Sequence, residues 1–237
     1  MTESSLTRTA ASGAVEALGW RYLLDAFATT VAVASLDQAL QVAAAAVTAC
    51  GPDADGHLRA TLRPDGVELV LQTAALGRLT SRDVDLAHRV TEAVRAVGPA
   101  TRPAGAHRAV QSLEIGIDAL DIPAIRPFWR AVLAYTDEPG RSGPEDALVD
   151  PTGQGPAVWF QQMDAPRPQR NRVHLDLTVP HDEAEARRGA ALAAGGVLVS
   201  DAAAPAFWVL ADAEGNEVCI CTWQGRDPVP TTRPDPA

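Results

Sequence analysis

Apolar and polar positions alternate from Arg172 to Val179, which predicts a strand with His174, Asp176 and Thr178 on one face and Val173, Leu175 and Leu177 on the other. A helix follows, with Asp182 as its expected N-cap, Glu185 three residues on to complete a capping box, and Gly195-Gly196 as its stop. Short apolar runs at Val197-Leu198-Val199 and Phe207-Trp208-Val209-Leu210, a turn at Glu214-Gly215-Asn216 and a last run from Glu217 to Thr222 complete the order strand, helix, strand, strand, strand. Upstream, Leu113 to Asp118 alternates in the same way and Ile122 to Ala134 carries helical spacing. The stretch from Asp137 to Pro156 is a Gly/Pro-rich loop, and Ala157 to Gln161 reads as a strand.

The N-terminal half has a different order. Phe27 to Val33 reads as a strand, and Ser35 with Gln38 forms a capping box for a helix from Leu36 to about Ala49 that Gly51-Pro52 ends. His57 to Leu62 and Val67 to Gln72 form a hairpin around Arg63-Pro64-Asp65-Gly66, where glycine supplies the turn's positive φ. A second helix starts at Leu79-Thr80-Ser81-Arg82-Asp83, aligns Val84, Ala87, Val90, Val94 and Val97 on one face, and stops at Gly98-Pro99. The expected layout is a flexible lead-in or weak helix at 1–14, a domain at 15–98, a Pro/Gly/Ala linker at 99–107, a second domain at 108–223 and a disordered tail at 224–237.

Asn171-Arg172-Val173-His174-Leu175-Asp176 and Asp212-Ala213-Glu214-Gly215-Asn216-Glu217, set in a β-α-β-β-β unit, resemble the glyoxalase-like branch of the vicinal oxygen chelate superfamily, the glyoxalase/bleomycin resistance/dioxygenase group. The stretch from Leu113 to Met163 supplies the first copy of a paired unit. Gly19-Trp20 followed by strand, helix, hairpin and helix, with Leu79-Thr80-Ser81-Arg82-Asp83-Val84-Asp85-Leu86-Ala87 at the back, resembles the pterin-4a-carbinolamine dehydratases. Together these imply an α+β protein: a small sheet with helices on one face, then a paired β-α-β-β-β domain.

The dehydratase resemblance implies a histidine cluster acting as acid and base, with a His-His-Pro and a Thr-His segment. The matching places here read Asp55-Gly56-His57-Leu58 and Gln72-Thr73-Ala74, so His57 alone remains, with Asp55 as its expected carboxylate partner and catalytic helper. The N-terminal domain is therefore read as a degenerate dehydratase kept for binding or assembly.

The glyoxalase resemblance implies a cleft in which some relatives hold a divalent metal. The matching positions are Glu114, His174 and Cys219, where a glutamate is usual at the last; Glu217, two residues earlier on the same strand face, is the substitute. Imidazole and carboxylate suit such an ion, which polarises substrate oxygens as a Lewis acid. No cofactor is the expectation, with a divalent metal held by Glu114, His174 and Glu217 as the alternative. Trp159, Gln161, His174, Asp176 and Trp208 are the expected contacts to a small-molecule ligand.

Composition narrows the classes. The chain has 237 residues, 46% hydrophobic, with a net charge of −10 and no basic cluster, which argues against a nucleic-acid partner. No apolar run reaches the length of a membrane span, and Met1 to Arg8 has no charged-then-apolar signal layout, so a cytoplasmic location is expected. Three cysteines, Cys50, Cys219 and Cys221, imply no disulfide framework. The expected partner is a second copy of the chain in a homodimer. Two function classes stand: a metal-independent binding module, or a lyase of glyoxalase or dehydratase type.

Overall fold

The computed structural model describes residues 7–105, 109–166, 175–222 and 224–225. The chain divides into two units, Met1–Leu113 and Glu114–Ala237, each described here by itself.

In the first unit, helix α1 (Arg8–Val15) leads into strands β1 (Arg21–Leu23) and β2 (Ala26–Ala32), helix α2 (Leu36–Cys50), a short helix α3 (Ala54–His57), strands β3 (Leu58–Arg63) and β4 (Gly66–Leu71), helix α4 (Ser81–Ala96) and strand β5 (Thr101–Arg102). The sheet runs β1-β2-β4-β3, with β5 paired to β2. Register sets Phe27 opposite Leu71 and Val31 opposite Val67, and these face the same side as Leu69. All five are fully buried against Ala39, Val42, Ala46, Leu86, Val90 and Val94 of α2 and α4. The helices therefore cover one face of the sheet, as the sequence predicts.

Of the two readings of the first stretch, flexible lead-in or weak helix, the helix holds over the described residues: α1 places Ala11 and Val15 in the core because they fall one helical turn apart. Two sequence expectations need correction here. Thr101 and Arg102, read as linker, pair with Val31 and Thr30 and add a strand to the sheet. His57 ends a helical turn rather than opening a strand, since Gly51-Pro52 continues into a 3-10 turn and α3 before β3 begins. The Ser35 hydroxyl accepts from Gln38 N–H at 3.2 Å as expected, while the Gln38 side chain reaches one residue further back, to Ala34 N–H.

The second unit contains β6 (Glu114–Ala119), α5 (Ile122–Leu133), β7 (Thr136–Asp137), β8 (Leu148–Val149), β9 (Ala157–Gln162), β10 (Asp176–Thr178), α6 (Ala184–Ala193), β11 (Val197–Ser200), β12 (Phe207–Ala211) and β13 (Glu217–Cys221). Two four-stranded sheets result, ordered β6-β9-β8-β7 and β10-β13-β12-β11. In each, the first strand pairs in parallel with the last strand of its own half, which gives the two halves the same topology. Their shared core takes Ile117, Val158 and Phe160 from one sheet and Trp208, Leu210, Val218 and Ile220 from the other, with Ile125, Phe128, Trp129 and Val132 of α5.

Helix α6 starts one residue past Glu183, with no side-chain cap, so the Asp182–Glu185 capping box predicted from the sequence does not form. Its stop is as predicted. Gly195 takes φ +96°, and a Cβ on Gly196 would lie 2.4 Å from Cδ2 of Phe128, so only glycine lets α5 approach there. No helix among the described residues is long and apolar enough to cross a membrane.

Candidate functional site

In the second unit, pairing of β6 with β9 sets Glu114 beside Ala157, Gly116 beside Trp159 and Asp118 beside Gln161. Paired residues share a sheet face, so Glu114, Gly116, Asp118, Trp159 and Gln161 lie together on the face opposite the buried Ile117, Val158 and Phe160. Trp159 remains 39% exposed. Its indole lies over Gly116: a Cβ there would come within 2.9 Å of Cζ2 and 3.2 Å of Nε1. Absence of a side chain at Gly116 is what lets a large aromatic cross from β9 to β6 and settle between Glu114 and Asp118. Alternation signals this face in the sequence; the bearing of Gly116 on Trp159 has no signal there, because it depends on register between strands far apart along the chain.

On the second sheet, Asp176 pairs with Cys219 and Thr178 with Cys221. Cys219 and Cys221 are buried on the side opposite Val218 and Ile220. Burial pushes the Cys219 thiol up to about 11, with the nearby Asp176 carboxylate, which accepts its hydrogen bond, adding to the rise. At neutral pH this sulfur is therefore a thiol, not the thiolate that binds metal.

Trp208, expected as a ligand contact, belongs to the core. It pairs with Ile220, sits in the same buried cluster as Leu210 and Val218, and is covered by Arg188, whose guanidinium carbon is 5.8 Å from its ring centroid. Parity along β12 puts Phe207 and Val209 on the other face, and helix packing decides which parity is buried.

Of the metal positions read from the sequence, Glu114 stands on β6 and Glu217 on β13, in different sheets, and His174 lies outside the described residues. No three His, Cys, Asp or Glu side chains among the described residues converge as a metal site would require.

The first unit holds a second polar cluster. His57 Nδ1 lies 2.8 Å from Asp83 Oδ1, and Asp83 is fully buried at the start of α4. Asp83 Oδ2 accepts from the Thr80 backbone N–H at 2.8 Å, the Thr80 hydroxyl at 3.1 Å and the Thr73 hydroxyl at 2.8 Å. The capping box of α4 thus doubles as the holder of the histidine's partner. A carboxylate oxygen accepting in this contact takes the Nδ1 hydrogen of His57, which leaves Nε2 as the ring's other nitrogen. Asp55, expected from the sequence as the partner of His57, is exposed on α3, and Asp83 takes that place instead. Arg82, next to Asp83, is ion-paired with Asp53, so two successive residues of α4 anchor the segment that carries His57. Ala74, where the dehydratase pattern has its third histidine, is exposed and offers no titratable group.

With both sites described, comparison with known proteins bears on them. The family model of the glyoxalase-like domain matches residues 114–221. Those residues form a glyoxalase-like domain. Among solved structures, similarity is found to a glyoxalase/bleomycin resistance protein/dioxygenase family enzyme from Burkholderia phytofirmans, at 20% identity and TM-score 0.38, over 46% of this chain and 95% of that one. A glyoxalase-related enzyme from Fulvimarina pelagi shows 19% identity and TM-score 0.39, over 48% of this chain and 88% of that one. A transcriptional coactivator/pterin dehydratase from Brucella melitensis shows 20% identity and TM-score 0.35, over 38% of this chain and 99% of that one. No functionally curated protein matches the chain. The glyoxalase-like domain thus runs from the opening of β6 at Glu114 to the end of β13 at Cys221.

Proposed function

We propose that the glyoxalase-like domain binds a small organic molecule through its open strand face without a complete set of metal ligands, and that the N-terminal unit, a degenerate dehydratase-like domain, serves binding or assembly. The observation that supports the reading most is the Trp159 indole seated over Gly116 and still 39% exposed. An aromatic of that size left open on a strand face offers a planar ligand a stacking surface worth about 0.5–1.5 kcal/mol beyond the area buried. Gln161 on the same face brings an amide donor and acceptor, and Glu114 and Asp118 bring carboxylates, which with the net charge of −10 favour a neutral or cationic ligand over an anion.

The test is a thermal-shift and fluorescence titration of the full chain with a panel of neutral and cationic planar compounds, with and without chelator. Binding that survives chelator and is lost in Trp159→Ala supports the reading. Binding that requires added metal, or none from any compound, overturns it.

The His57–Asp83 pair favours a second reading, residual carbinolamine dehydration of a hydroxylated tetrahydropterin. Loss of water from such a substrate requires a proton on the departing hydroxyl and removal of one from the adjacent nitrogen. His57 Nε2 would take the nitrogen's proton and return it to the hydroxyl, with Asp83 stabilising the transient imidazolium. Dehydration above the spontaneous rate that His57→Ala eliminates supports this reading, and a rate equal to the spontaneous one overturns it.

A further inference from the structure

The sheet of the first unit carries its helices on one side, and register gathers on the other side a charge that no run of the sequence shows. Ala28 alternates with the core residues Phe27 and Thr29 and so faces away from the helices. Its partners Arg21 on β1 and Val70 on β4 face the same way, with Arg59 of β3 beyond Val70. In the next row Thr30 stands between Arg102 of β5 and Glu68 of β4, and a third row sets Arg63 beside Gly66. Among the described strand residues this face holds four arginines and one glutamate, a net +3 on a chain of −10. Arg59, Arg63 and Arg102 are exposed. Arg21 donates to the carbonyls of Glu16 and Trp20, and Arg63 comes no nearer than 3.9 Å to Glu68. Arg59 and Arg102 have no ion-pair partner among the described residues.

We propose that this face docks an acidic polypeptide segment in extended form, running along β4. Arg59 and Arg21 stand three strands apart, about 14 Å, across the short side chains of Val70 and Ala28. An extended peptide laid between them sends successive side chains to alternate sides, and every second one recurs after about 7 Å, the spacing of the rows. Carboxylates on one side then meet Arg59 and Arg63, and those on the other meet Arg21, with Arg102 adding charge at the edge. The segment leaving β5 lies on Thr30, where a Cβ on Gly105 would come 3.2 Å from Oγ1, so the chain itself bounds the groove on that side. A nucleic acid strand is the poorer fit. Bases need aromatic faces to stack on, and Tyr22 and Phe27 of these strands pack into the core instead. The inference rests on the binding role proposed for the N-terminal unit and adds the surface and the partner's chemistry.

Fluorescence anisotropy of the full chain with a labelled oligoglutamate peptide tests it, with an oligothymidylate of equal charge alongside. Wild type is expected to bind the peptide more tightly than the oligonucleotide, and to lose affinity as salt is added. Arg59→Glu combined with Arg63→Glu is expected to raise the dissociation constant roughly tenfold or more, and Glu68→Gln, which removes the carboxylate of the floor, to lower it roughly threefold. Arg95→Glu, at an exposed position of α4 on the helical side of the sheet, should leave it within about twofold. A loss in Arg95→Glu as large as in Arg59→Glu alone overturns the inference, since attraction to the chain's arginines in general then explains the binding. Tighter binding of the oligonucleotide overturns it in favour of a nucleic acid. Peptide binding undiminished in the double variant overturns this face and leaves the binding role to another surface; no binding of either polymer overturns the face and the binding role together, leaving assembly. If circular dichroism shows the double variant unfolded, Arg59→Gln with Arg63→Gln carries the same expectation.

Discussion

The buried carboxylate of Asp83 holds the ring of His57 at 2.8 Å from residues twenty-six positions apart, and the same carboxylate caps helix α4 through Thr80. One group therefore fixes a helix start and the tautomer of a histidine. Asp83→Ala should destabilise the first unit by roughly 2–4 kcal/mol in urea denaturation, since it orphans the Thr80 N–H, the Thr73 hydroxyl and the imidazole. Asp55→Ala should cost under about 0.5 kcal/mol, as for other exposed positions. Equal costs for the two would contradict the assignment of Asp83 as the partner.

Trp129 of α5 donates from its indole N–H to Asp212 Oδ2 at 2.9 Å, and Asp212 Oδ1 accepts from the backbones of Glu214 and Asn216 in the β12–β13 turn. This carboxylate joins a helix of the first half to a hairpin of the second. Asp212→Ala is expected to lower the stability of the glyoxalase-like domain by about 2–4 kcal/mol. Trp129→Phe, which keeps most of the packing and loses the donor, should cost less than that. The midpoint of thermal unfolding for the two variants gives the comparison.

Gly116→Ala puts a methyl where the Trp159 indole lies, 2.9 Å from Cζ2. The ring has open space on its exposed side, so it should swing away at a cost of under about 1 kcal/mol. Any ligand that stacks on Trp159 should bind more weakly in this variant by about tenfold or more, while unfolding is nearly unchanged. Undiminished affinity would show that the ring does not contact the ligand.

Arg126, itself buried, donates to Asp137 Oδ1 at 2.8 Å and to the carbonyl of Asp146 at 2.7 Å, holding the loop before β8. That hydrogen bond from Arg126 lowers the pKa of Asp137 below its ordinary 3.8. A depressed folded pKa stabilises the fold above the unfolded value and loses that stabilisation as pH falls through the folded one. Stability of the domain should therefore drop as pH falls below about 4, and Arg126→Met should flatten that part of the profile. An acid limb of unchanged slope in the variant would refute the linkage.

Cys219, raised from 9.0 to about 11 by burial and then by Asp176, holds its proton more tightly in the fold than in the unfolded chain, so stability is full below pH 9 and falls as pH rises from 9 through 11. At about pH 8 it should react with iodoacetamide far more slowly than the unfolded chain. Asp176→Asn removes the nearby negative charge and should speed that reaction, as read by mass spectrometry of the peptide carrying Cys219.

The legible parts of this chain were those governed by local rules. Alternation gave β6, β9 and β10, helical spacing gave α2, α4 and α5, and Gly195 gave a helix stop, because each depends on residues a few positions apart; the hairpin turn falls where expected, but Gly66 opens β4 without the positive φ expected of it. The repeated order of elements also carried the glyoxalase-like architecture. Helix α1 was only one of two readings of its stretch because Thr, Ser and Ala give a weak periodic signal, and burial of Ala11 and Val15 in the core stabilises it.

The sites divided differently. Sequence marked His57, Trp159 and Gln161 by residue type and position in their elements. It could not say that Asp83 rather than Asp55 meets His57, since that contact forms only when α4 packs beside α3. Nor could it say that Trp159 is open while Trp208 is core: both alternate on strands, and the side that α5 and α6 cover decides which is buried. Side-chain type and local period are properties of the chain by itself; partners across strands and helices are set by packing, where register and layer order override any preference the sequence carries locally.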